Sequence, residues 1–239
     1  MGIWFWFVLA FIAFAFITIA RKWHDHSMIF TIAIGFAINA NIFNATSTPI
    51  YSGPLIFSID SILYTGFMFC VVISAIEYGV RDAKILTSSS IAAILLSTII
   101  EFLARVSSTG YQAQYLLSSL SFIFSALGTF AGVWLMLFIF EKLKAKNLNV
   151  YLITVICILI ASIVNSSIYY VFTLLTTQST RNLLYALLGS YIGKVFCIAL
   201  CLLTFYINTH IFIPNNLKEK YCKKEIKEIE KENIEENKN

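Results

Sequence analysis

Charged residues are scarce in this chain. Only 13% of the 239 residues are Asp, Glu, Lys or Arg, against 59% hydrophobic, and that shortage excludes an ordinary soluble domain, which carries roughly a quarter of its residues charged. Catalytic signatures are also missing. There is no phosphate-binding glycine loop, no nucleophile elbow and no HExxH pair, which excludes an ATP-driven pump acting alone and leaves nothing to call an enzyme. No basic surface with interleaved aromatics appears, so the net charge of +4 is not a nucleic-acid signal. The five cysteines, at positions 70, 157, 197, 201 and 222, fall in apolar stretches or the C-terminal tail, so no disulfide framework is expected. Cys197 and Cys201 share a helix face but lack the further ligands a zinc site needs. Neither a metal nor a cofactor is expected.

What is present is hydrophobic length. Seven apolar stretches can be read: Gly2 to Ala20, Met28 to Asn44, Leu55 to Tyr78, Ile85 to Leu103, Tyr115 to Phe140, Val150 to Leu175 and Leu183 to Tyr206. Each approaches the ~20 residues a spanning helix requires. The expected fold is all-α, a polytopic membrane bundle of seven helices; reading the short second stretch as re-entrant or interfacial would leave six. The membrane domain covers residues 1–214, and a charged tail of Lys, Glu, Asn and Ile covers 215–239. Spacings such as Glu219 with Lys223 suit a solvated helix.

Topology follows from the basic residues. One set of loops holds Arg21, Lys22, Arg81, Lys84, Lys142, Lys144 and Lys146 and continues into the tail; the other holds only Arg105 and Arg181. The expectation is a multi-pass plasma-membrane protein with its N-terminus outside and its C-terminus cytoplasmic. The first stretch has no basic residues before it, so it reads as a retained helix rather than a cleaved signal.

Against this background Lys194 stands out, about midway along the last stretch. A lysine at a helix centre costs about 2.5–3.5 kcal/mol on insertion scales, so it should face protein, water or a ligand. The other polar groups in the spans are Asn39, Asn41, Asp60, Asn165, Tyr169, Tyr170 and Tyr191. Asp60 sits about six residues into its stretch, roughly 9 Å deep by helix rise, and a snorkelling lysine could reach towards it. Ser162, Asn165 and Tyr169 share one helix face, as do Tyr191 and Lys194. Such faces could line a cavity, amides reading a ligand's edge and tyrosine rings covering its flat side. They could equally bond to each other and glue helices together. Gly128 with Gly132 and Gly189 with Gly193 have small-xxx-small spacing, suited to packing within the bundle or to dimerisation. Glu101 and Arg105 read as a local ion pair, and Glu77 to Lys84 as an anchor or an inner gate.

Four segments carry a family resemblance: FAINANIFN (Phe36 to Asn44), EYGVRDAK (Glu77 to Lys84), IASIVNSSIYYVF (Ile160 to Phe172) and GSYIGKVFCIALCLLTFY (Gly189 to Tyr206). In order and spacing, over roughly residues 30–208, they resemble the VUT family of vitamin-uptake membrane proteins, whose better-known members import queuosine precursors. There are departures. Ile76 stands where the family has an acid two positions before Tyr-Gly. Ile163 and Asn165 replace a Gln/Asp pair, and the fifth span is more apolar. The Tyr191–Lys194 pair is kept. The resemblance implies a transporter importing a small, polar, planar metabolite of the 7-deazaguanine type. Its expected ligand set is Lys194, Tyr191, Asn165, Tyr169, Asn39, Asn41 and Asp60. Expected partners are membrane lipids and this small-molecule substrate, with a homodimer or ATPase subunits left open. A substrate-binding subunit of an ATP-driven vitamin importer, or a seven-helix sensor or scaffold, are the alternatives.

Overall fold

The computed structural model describes residues 3–22, 26–46, 50–52, 55–57, 59–109, 113–146, 148–176 and 180–207. Among them are seven helices: α1 (Ile3–Lys22), α2 (His26–Thr46), α3 (Ile59–Glu77), α4 (Val80–Thr109), α5 (Ala113–Lys144), α6 (Val150–Thr176) and α7 (Thr180–Ile207). Five of them, α3 to α7, are long and apolar enough to cross a membrane; α1 and α2 contain shorter apolar stretches, Phe7–Ile19 and His26–Ala40. The protein is an all-α membrane bundle. The second stretch, which could have been re-entrant, is one continuous helix lying along α3. The tail from 215 to 239 lies outside the described residues.

Backbone chemistry explains the boundaries. Lipid offers no hydrogen bonds, so a spanning backbone must satisfy itself, which a helix does. Helix α3 stops where Gly79 adopts φ +99°, its N–H donating to the Ser74 carbonyl, which also accepts from Tyr78. This is a glycine C-cap in the left-handed region. Four residues on, Ala83 already donates back to Gly79, opening α4. The EYGVRDAK segment is therefore a tight α3–α4 turn. At the start of α6, Asn149 caps the helix, its Oδ1 accepting from the Tyr151 N–H at 2.9 Å.

One boundary corrects the sequence expectation. Leu55 to Phe57 are not the start of the third span. They form strand β2, paired antiparallel with β1 (Ile50–Ser52) in the register Ser52↔Leu55. Apolar, β-branched and aromatic residues here flank a Gly-Pro sequence, a pattern that suits a hairpin as well as a helix start. The helix begins at Ile59, so Asp60 lies in its first turn rather than about six residues inside. The strands pack on α1 and α7.

Helix α3 is the most buried of the five long spans and touches every other helix. Its stretch from Phe67 to Ile73 is buried throughout. Helix α4 is the least buried. Ile85, Leu95, Leu96, Ile99, Ile100 and Leu103 project from it as an exposed apolar face, as expected of a surface turned to lipid. The closest backbone approach recorded at a glycine is between α5 and α6. A Cβ built on Gly132 would lie 2.7 Å from the Ala161 carbonyl oxygen, and one on Gly128 would lie 3.0 Å from Asn165 Oδ1. The Gly128–Gly132 spacing thus serves packing within the chain.

Candidate functional site

Polar side chains in these helices bond within their own helix or across to another, and Thr65 does both. Thr31, Thr65, Thr87, Thr98, Thr129, Thr154 and Thr204 each donate to the carbonyl one turn back in their own helix. Such back-bonding satisfies a hydroxyl in lipid without building a site. Asn39 belongs with them. It is exposed, and its Nδ2 donates to Gly35 O at 2.8 Å. Asn41 lies on the same helix with its side chain outside the described residues.

The second group bridges helices. Lys194 Nζ on α7 donates to Ser166 Oγ on α6 at 2.6 Å. One residue along α6, Ser167 Oγ shares a hydrogen bond with Tyr191 OH at 3.1 Å. Tyr170 pairs with Ser190, again across α6 and α7. Tyr64 OH on α3 and Ser125 Oγ on α5 are 2.5 Å apart. Thr65 on α3 meets the Cys197 thiol on α7, and Ser162 on α6 donates to the Met68 sulfur on α3 at 3.7 Å. The bridges run from the end of the bundle nearer the hairpin, where α3 begins, α6 ends and α7 begins, to its middle, where Ser162 meets Met68.

Electrostatics tie the same residues together. Asp60 is the acid whose charge acts on Lys194, and the same charge reaches Tyr64 and Tyr170. Asp60 is half-buried while Lys194 is 4% exposed. Asn165 is buried on α6 with its Oδ1 towards Gly128 of α5. Tyr169 is half-buried with its ring 5.4 Å from that of Tyr170. The structure therefore brings Lys194 and Tyr191 together against Ser166 and Ser167 of α6, the helix that also carries Asn165 and Tyr169, and places Asp60 in the first turn of α3. It does not bring Asn39 to Lys194. Sequence reasoning missed Tyr64, Ser125, Ser166, Ser167 and Ser190. The usable signal was Ser166-Ser167 sitting opposite Tyr191-x-x-Lys194, but a serine in an apolar helix is normally silent because it can bond to its own backbone.

Beyond the cluster, aromatic rings join the helices. Phe69 on α3 packs edge-on against Phe205 on α7, centroids 5.8 Å apart, and Phe205 meets Tyr151 on α6 at 5.4 Å. Phe69 and Phe205 are buried. These rings join the three helices that carry the lysine and its surroundings. At the far end, charges lie at the surface. His26 Nε2 on α2 is 3.7 Å from Asp82 Oδ2 on α4, its ring against Tyr78, and Lys84 is 3.4 Å from Glu141 on α5. Exposed pairs of this kind contribute about 0–1 kcal/mol, so Glu77 to Lys84 tethers helix ends more than it stabilises the core. Glu101 lines an apolar crevice of about 470 Å³ between α2 and α4, with Ile38, Ile42, Ala93, Leu96, Ser97 and Ile100. The Arg105 side chain lies outside the described residues. No group of three or more His, Cys, Asp or Glu able to hold a metal occurs among the described residues.

The fold and this cluster define a class, an α-helical membrane protein with a buried basic residue in a polar interior. Comparison with family models, with curated proteins and with solved structures finds no match to this chain.

Proposed function

We propose that this protein is a membrane transporter for a small, polar, planar metabolite, held between α3, α6 and α7. The observation that carries the reading is the convergence of helix-bridging polar groups on Lys194. Around it, buried hydroxyls bridge from one helix to another, while threonines such as Thr87 and Thr98 bond to their own backbone. A buried lysine is expensive in a bilayer and is normally retained where it meets a ligand or an ion path. Lys194 would face a carbonyl or anionic group, Asn165 would bond an edge, and Tyr169 or Tyr191 would cover a ring face. The resemblance to the VUT family supplies the specific substrate, a 7-deazaguanine base of the queuosine pathway. The distribution of basic residues supports an N-terminus outside and a C-terminus in the cytoplasm, with the hairpin end outward. The ligand then enters past the hairpin, and the Phe69–Phe205–Tyr151 rings form the inner seal. Access alternates by rocking of helix groups about the site.

The test is uptake of labelled 7-deazaguanine bases into cells lacking their own route, for wild type and Lys194→Met, with membrane expression measured in both. Uptake that disappears in the well-expressed variant is the expected result. A well-expressed wild type that takes up none of these bases discards this substrate class.

A further inference from the structure

We propose that the outer seam between α4 and α5, at the end of the bundle that carries the basic loops, is a binding site for an anionic phospholipid. It lies at the opposite end from the Lys194 cluster. Three exposed rings on α5, those of Phe130, Trp134 and Phe138, stand one turn apart on one face of the helix. The first two are in contact, their centroids 5.5 Å apart. Across the seam, Ile85 of α4 is exposed as well. Two lysines border this apolar strip. Lys142 folds back towards the membrane, its Nζ 4.4 Å from the centre of the Phe138 ring one turn deeper in α5. Lys84 reaches across from α4, its Nζ 3.4 Å from Glu141 Oε1 and 5.9 Å from the centre of the Trp134 ring. A lysine near the end of a span ordinarily extends its amine outward to water. These two are held at the edge of an apolar face, where the negative face of an aromatic ring attracts a cation.

A phospholipid has the complementary form, with a phosphate at the boundary and acyl chains beneath it. The chains lie along the α5 rings and Ile85, and the phosphate oxygens accept from the two ammonium groups. Ser88, exposed one turn deeper than Lys84 on the same face of α4, offers a further hydroxyl donor. Helix α4 is the least buried of the five long spans, so its outer face is open to such a lipid. Charge selects the headgroup. Arg81, Lys144 and Lys146 are exposed at the same end. Of the acids there, Asp82 faces His26, and Glu141 faces Lys84. The Lys84–Glu141 contact is exposed on both sides, and pairs of that kind are weak enough for a phosphate to share the lysine. Each lysine near the surface favours an anionic lipid by about fivefold. A zwitterionic headgroup carries its own cation and has no net charge for these lysines to attract.

The test is quenching of tryptophan fluorescence by brominated lipid. The chain has four tryptophans, at 4, 6, 23 and 134, and replacing the first three with Phe leaves Trp134 as the reporter inside the proposed site. The full-length protein is reconstituted in phosphatidylcholine vesicles containing brominated phosphatidylglycerol or, at equal mole fraction, brominated phosphatidylcholine. The expected result is preferential quenching by the anionic lipid, equivalent to about fivefold or greater relative affinity. Lys84→Gln with Lys142→Gln should bring the two lipids to equal quenching. Lys144→Gln with Lys146→Gln removes the same charge beyond the rings and should keep most of the preference. Equal quenching by the two lipids in the parent protein overturns the proposal, as does a preference that survives Lys84→Gln with Lys142→Gln. An equal loss in the Lys144→Gln, Lys146→Gln protein also overturns it, because the attraction then belongs to the basic loop as a whole. Inorganic phosphate should leave the ratio unchanged; a ratio abolished by it assigns the lysines to a free anion and overturns the lipid site. Native mass spectrometry of the unaltered protein from micelles holding both lipids should show phosphatidylglycerol retained over phosphatidylcholine, and equal retention overturns the proposal without any variant.

Discussion

Lys194 and its neighbours show how one hydrogen bond differs from another in lipid. Ser166 accepts from a buried amine that has little other means of solvation. Ser166→Ala should lower stability by about 0.6–1.7 kcal/mol, the range for hydrogen bonds between membrane helices, visible as a lower melting temperature in detergent. Asn39 gives the contrast. Its amide only closes on Gly35 of its own exposed helix face, so Asn39→Ala should stay within about 0.5 kcal/mol of wild type in the same assay and should leave uptake intact. Both residues are polar groups in apolar stretches, and the sequence alone does not tell them apart. The difference is whether the partner is four residues away or on another helix.

At the scale of the element, glycines set how closely helices approach. Gly132→Ala would place a methyl 2.7 Å from the Ala161 carbonyl oxygen, against backbone that cannot swing aside. The α5–α6 pair must then separate, at about 1–3 kcal/mol by analogy with overpacked cores, and reduced folded yield in membranes would report it. Gly35→Ala meets nothing within 4 Å and should be neutral or stabilising by up to about 1 kcal/mol, since alanine is the better helix former. Gly79→Ala fails differently. Space is available, but φ +99° is a left-handed conformation that costs an L-residue about 1–2 kcal/mol. Much of this level was legible in the sequence. The approximate course of the helices could be read from it; the hairpin at Ile50–Phe57 could not, because a short apolar run with β-branched and aromatic residues fits a strand or a helix start equally well.

Across the whole molecule, the buried rings of Phe69 and Phe205 lie between the polar cluster and the opposite end. Cys201 lies buried one turn before Phe205 and can report on those rings. In a protein retaining Cys201 as its single cysteine, a membrane-impermeant thiol reagent should label little from either side. Adding Phe205→Ala should increase labelling severalfold from the side that carries the basic loops, and from that side only. Equal labelling with and without the ring would mean that the aromatic contacts do not seal the bundle.

The sequence by itself determined that the chain is a helical membrane protein, roughly where each helix runs, which loops are basic, and that a lysine lies deep in the last span. These are one-dimensional properties. Transfer of a stretch into lipid depends on its own length and composition, and the cost of a buried charge depends on where it falls along that length. Tertiary structure alone decided which serines meet Lys194, that Tyr64 reaches Ser125, that Asn39 turns away, and that Asp60 stands in the first turn of its helix. The reason is rotational. A helix that is apolar on nearly every side carries no stripe to mark its inward face, so its rotation and its neighbours are set by close packing, as at Gly128 and Gly132, and that packing selects which polar groups face one another.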